Sequence, residues 1–96
     1  MKLWLDDIRY APSGYTAAGS VDDAKLLIIE CERRAEKIEV LDLDYDLGEN
    51  SHLGGTGLDL LKWLAERGTF YPVEVHSSHP YGVRDVESFI DWNWPF

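Results

Sequence analysis

Apolar residues recur along the chain in two rhythms: short runs that end at acidic or glycine-containing stretches, and longer segments with helical spacing. Lys2 to Leu5 is an apolar-rich run that stops at Asp6-Asp7, as a strand does on leaving a sheet. Residues 9–14 contain Pro12 and Gly14 and read as a loop, after which Tyr15 to Ala18 fits a short second strand. Ser20 with Asp23 makes a capping-box-like start, and Ala24, Leu27, Ile28, Cys31 and Ala35 follow at helical spacing, predicting a helix over 21–36. Ile38 to Leu43 predicts a central strand that exits into Asp44-Tyr45-Asp46-Leu47-Gly48. Residues 48–55 read as a polar loop, and Thr56 with Asp59 caps a helix running to Arg67 and closed by Gly68. Pro72 to His76 gives a further strand and Ser77 to Gly82 a loop. Val86, Phe89 and Ile90 mark a short last helix before the aromatic tail Trp92-Asn93-Trp94-Pro95-Phe96.

Strands alternating with helices predict an α/β fold with a parallel sheet of three or four strands and about three helices, and such sheets bind ligands beyond the carboxyl ends of their strands. Asp6, Asp7, Asp44, Asp46 and Ser77 all fall at those ends. Residues two apart on a strand share a face. Counted this way, Leu3, Leu5, Ile38, Val40, Val73 and Val75 form an apolar face. Lys2, Trp4, Glu39, Leu41, Leu43, Glu74 and His76 form a mixed face too polar for a full helix layer. An exposed patch of Trp4, Leu41 and Leu43 is then expected, to be covered either by the aromatic tail or by a second copy in a homodimer.

Ninety-six residues make one domain, 1–96, and four Trp, five Tyr and three Phe supply bulky core material. The net charge of −9 provides no basic stripe, which argues against duplex nucleic acid as a partner. Cys31 is the only cysteine, so no internal disulfide forms, and a reducing cytoplasm is expected. The chain has no apolar run of membrane-spanning length and its start reaches two carboxylates within seven residues, so a soluble, unprocessed protein away from membranes is expected.

Three motifs in order, Leu5-Asp6-Asp7, Leu43-Asp44-Tyr45-Asp46-Leu47-Gly48 and Val75-His76-Ser77, resemble the receiver domains of two-component response regulators. More closely they resemble the compact group of cyclic-phosphate processing receiver domains. The resemblance covers nearly the whole chain and implies a reduced receiver-like, flavodoxin-like fold. It also implies Mg²⁺ (or Mn²⁺) at Asp6, Asp7 and Asp44, with Asp44 in the phosphoacceptor position. Asp46 stands where the family uses a backbone carbonyl, making it an extra metal ligand or a base, and Ser77 takes the hydroxyl position that contacts phosphoryl oxygens. The family's lysine has no counterpart, since the last lysine is Lys62, and the segment between the first two strands is too short for a helix. The missing lysine counts against phosphoaspartate signalling, and the losses together remove elements that cover one sheet face in receivers.

The chemistry points the same way without the family. Two carboxylates about 5 Å apart repel by roughly 3 kcal/mol at an effective dielectric near 20, so the cluster favours a cation. Oxygen ligands without thiolate suit Mg²⁺ or Mn²⁺ over a closed zinc site. Arg9 is placed either to clamp phosphate oxygens or to neutralise the acids, and His76 and His79 are candidates for acid, base or phosphate-binding roles beside their structural readings. Asp42 reads as a hydrogen-bonded core carboxylate, His52 as exposed, and the tail aromatics as packing. The expected activity is a metal-dependent phosphoesterase acting on a small or terminal phosphate; a cyclic phosphate, such as one at an RNA end, is implied only by the family resemblance. The rivals are a noncatalytic signalling module that binds a partner and a phosphoacceptor receiver using Asp44.

Overall fold

The computed structural model describes residues 1–77 and 79–96. Its elements are β1 (Lys2–Leu5), β2 (Thr16–Ala18), α1 (Val21–Arg33), β3 (Val40–Leu43), a short 3-10 helix (Gly48–His52), α2 (Gly57–Arg67), β4 (Val73–Val75) and α3 (Pro80–Asn93). The expected caps hold both inner helices. Ser20 Oγ accepts from the Asp23 amide at 3.2 Å, and the Asp59 carboxylate accepts from the Thr56 amide at 2.8 Å. α1 stops short of the predicted 36 because the chain turns left-handed at Ala35, with φ 55°. α3 is longer than expected and starts within the predicted loop: His79 Nδ1 accepts from the Gly82 amide, and Pro80 brings a helical φ to the first turn.

The sheet is wholly parallel in the order β2-β1-β3-β4. The connections β2-α1-β3 and β3-α2-β4 both step in the same direction across it, so right-handed crossovers put α1 and α2 on one face. α1 packs on β1 and β2, α2 on α1, and α3 on α2. The step from β1 to β2 runs the other way, so its crossover belongs on the opposite face. There the loop of residues 6–15 takes the place of a helix. Trp4 Nε1 donates to the Arg9 carbonyl at 3.2 Å, Tyr15 meets Trp4 edge to face, and the Lys2 ammonium lies over the Tyr15 ring. This is the thinly covered face that the sequence predicts.

Its composition differs from the expectation. Leu3 pairs with Leu41 and Leu5 with Leu43, so all four share the helix-covered face and are fully buried with Ile28, Leu60, Leu61 and Leu64. The other face carries Lys2, Trp4, Ala17, Val40, Asp42 and Glu74. The alternation fails because β3 begins only at Val40: Ile38 is buried before the strand starts, so parity counted from it is one residue out. The expected patch of Trp4, Leu41 and Leu43 is therefore absent. The tail turns to the helix side, where Trp94 is buried edge-on against Phe70 and donates Nε1 to the Tyr71 carbonyl at 2.8 Å. Among the described residues no helix is long and apolar enough to cross a membrane.

Candidate active site

β1 and β3 end side by side, and the residues that follow them turn their carboxylates into a cleft of about 480 Å³ lined by Asp6, Asp7, Arg9, Asp44, Asp46 and His79. All four predicted metal ligands are thus brought together, with two of the predicted phosphate-binding side chains. Gly48 lets them close: its φ of 56° suits glycine, and a Cβ there would lie 2.8 Å from Asp7 Oδ2. Its amide donates to Asp46 Oδ1 at 2.8 Å, fixing the acidic turn after β3. Gly57 seats α2 beneath that turn, since its Cβ position is 2.4 Å from the Asp44 carbonyl oxygen.

Asp6 is the most constrained of the four. Oδ1 accepts from the amides of Ile8 and Arg9 at 2.8 and 2.9 Å, and Oδ2 pairs with His76 Nε2 at 2.9 Å. Burial alone raises its pKa, but these amides and His76 outweigh that effect and hold the carboxyl below its ordinary range. Asp44 goes the other way. Burial, reinforced by the charge of Asp6, pushes its carboxyl up, against a lowering contribution from hydrogen bonding to Ser77. Ser77 Oγ also accepts from the His79 amide at 3.1 Å.

His76 lies behind the cleft. Its Nδ1 is 2.6 Å from Asp42 Oδ1 and its Nε2 faces Asp6, while Trp4 stacks flat on the ring. Both ring nitrogens are thereby engaged, one by each carboxylate. Asp42 is the hydrogen-bonded carboxylate that the sequence suggests. The part played by Trp4 was not foreseen, although it shares the mixed face with His76. Arg9 crosses to the end of β4, where Nη1 donates to the His76 carbonyl at 3.1 Å. His79 caps α3 through Nδ1, so its proton is on Nε2 and available as a donor.

The donor set suits a hard divalent cation. The carboxylates of Asp6, Asp7, Asp44 and Asp46 line the cleft, and oxygens of Asp6 and Asp44 lie within 4.8 Å of one another and of a ring nitrogen of His76. Burial, with the like charge of Asp6 behind it, raises the Asp44 pKa, and a cation at the cleft would offset both. The family model of the cyclic-phosphate processing receiver domain matches residues 1–91. No curated protein and no solved structure matches the chain.

Proposed function

The chain belongs to the cyclic-phosphate processing receiver domain family, and from that premise we propose that it is a metal-dependent phosphoesterase acting on a small or terminal phosphate, including the cyclic phosphate of an RNA end. The supporting observation is the cleft that gathers Asp6, Asp7, Asp44 and Asp46 with Arg9 and His79. In this reading the four carboxylates would hold Mg²⁺ or Mn²⁺, which would supply charge neutralisation and acidify a water.

The remaining roles fall to the chain's own residues. Asp6 is locked by two amides and His76, so it fixes the geometry of the carboxylate cluster. Arg9, anchored at the end of β4, offers its remaining guanidinium donors to phosphate oxygens. Ser77, beside Asp44, adds a hydroxyl donor. Asp46 is exposed at the cleft, accepts a proton from the attacking water and returns it to the departing oxygen, while His79 Nε2–H donates a hydrogen bond to a phosphate oxygen. His76, with both nitrogens engaged, keeps Asp6 in place instead of transferring protons to substrate.

The test is turnover of bis(p-nitrophenyl) phosphate and of a nucleoside cyclic phosphate with Mg²⁺, with EDTA, and in Asp46→Asn. Metal-dependent hydrolysis that EDTA abolishes and the variant lowers by about 10²-fold or more supports the proposal. A gain of one phosphoryl mass on Asp44 from acetyl phosphate without turnover overturns it in favour of a phosphoacceptor. Neither turnover nor mass gain leaves a binding module.

A further inference from the structure

β4 is the edge of the sheet on the side away from β2. The Pro72 carbonyl accepts from Leu41 and the His76 amide donates to Leu43, so even-numbered positions of this strand face β3. By strand alternation the N–H and C=O groups of Val73 and Val75 point outward, and among the described residues no strand pairs with them. An unpaired row of this kind is a template for another strand, and here neither a bulge nor a proline within Val73–Val75 blocks it.

A groove of about 480 Å³ runs between this edge and α3. Its floor is apolar, from Val73, Val75 and Ile90, and its acidic side chains are Glu74, Glu87 and Asp91. Two copies joined edge to edge would bring two such acidic rims together in a chain of net charge −9, so the charge selects against self-pairing. We propose that β4 accepts an extended basic segment of a partner polypeptide as a fifth strand. Its alternate apolar side chains lie against Val73, Val75 and Ile90 on the helix side, and its Lys or Arg side chains, pointing to the other face, meet Glu74. This docking edge is separate from the acidic cleft and does not depend on its chemistry.

The probe is a blocked heptapeptide of alternating lysine and valine, titrated into the ¹⁵N-labelled protein. Saturable amide shifts centred on Val73–Val75, with slowed exchange of the Val73 and Val75 amides, are expected. The charge-reversed variant Glu74→Lys, altered only at an exposed strand position, should bind about tenfold more weakly. Equal binding of a peptide with alternate backbone amides methylated overturns strand addition. So do shifts confined to residues around Asp6 and Asp44, or no binding at all. Concentration-dependent shifts at Val73 and Val75 without peptide replace the partner segment by a second copy and likewise overturn the proposal.

Discussion

Trp4 and His76 stack ring on ring, with centroids 3.7 Å apart and planes 4° from parallel. The stack covers the Asp42–His76–Asp6 chain on the one sheet face that no helix protects, so an aromatic side chain does there what a helix does in a fuller α/β fold. Trp4→Ala should destabilise the protein by about 2 kcal/mol, from lost ring burial and from exposure of the hydrogen-bonded Asp42–His76–Asp6 bridge. Trp4→Phe should recover most of that, since a ring remains to stack. Urea unfolding of the three proteins measures this, and a cost for alanine within about 0.5 kcal/mol would show that the face is simply solvated.

The approach of α2 to the site is a steric matter. A Cβ on Gly57 would sit 2.4 Å from the Asp44 carbonyl oxygen, a backbone atom that cannot swing away. Gly57→Ala should therefore cost about 3 kcal/mol and displace the acidic turn. Gly68 has φ 71° with open space around its Cβ position, so Gly68→Ala should cost only about 1 kcal/mol. Thermal unfolding of both variants separates steric contact from backbone strain, and equal losses would count against the contact.

The ends of β1 and β3 were legible in the sequence because those apolar runs stop at carboxylates, and chain order alone then gathers Asp6, Asp7, Asp44 and Asp46 at one edge. Which face Leu41 and Leu43 occupy was not legible, since it depends on where β3 starts, and a buried residue such as Ile38 looks the same inside a strand or before it. The start of α3 was hidden for a different reason. Ser77-Ser78-His79-Pro80 has the composition of a loop, and only the bond from the Gly82 amide to His79 turns it into a cap. The Trp4–His76 stack was out of reach because β1 and β4 are not neighbours; their side chains meet across β3.

The two tail tryptophans should behave oppositely. Trp94 is 7% exposed, packs against Phe70 and Phe89 and hydrogen-bonds the chain just before β4, whereas Trp92 is 86% exposed. Trp94→Ala should cost about 3 kcal/mol, and Trp92→Ala less than about 0.5 kcal/mol. Chemical denaturation monitored by circular dichroism compares them, and similar costs would mean that the tail is not docked as described.

Asp44→Asn should make the metal-free protein more stable while removing its response to Mg²⁺. Burial and the charge of Asp6 raise the Asp44 carboxyl above its unfolded value, so this group favours folding fully only at pH values below that unfolded value. That contribution is lost as pH rises through the folded pKa, and at neutral pH the ionised carboxylate opposes folding. Asp6 has the opposite sign: its lowered pKa contributes stability above the unfolded value, which is lost as pH falls through the folded one. The amide at 44 removes the first effect and leaves the second. A gain of about 1 kcal/mol at pH 7 in EDTA is expected after solvent screening, shrinking toward zero as the pH falls below the ordinary aspartate range. In millimolar Mg²⁺ the order should reverse or close, because binding to the native state stabilises the wild type alone. Thermal unfolding of both proteins across pH 3 to 8, with EDTA and with Mg²⁺, reads all of this. If the variant is less stable in EDTA and both proteins respond equally to Mg²⁺, Asp44 is a structural carboxylate and the metal assignment fails.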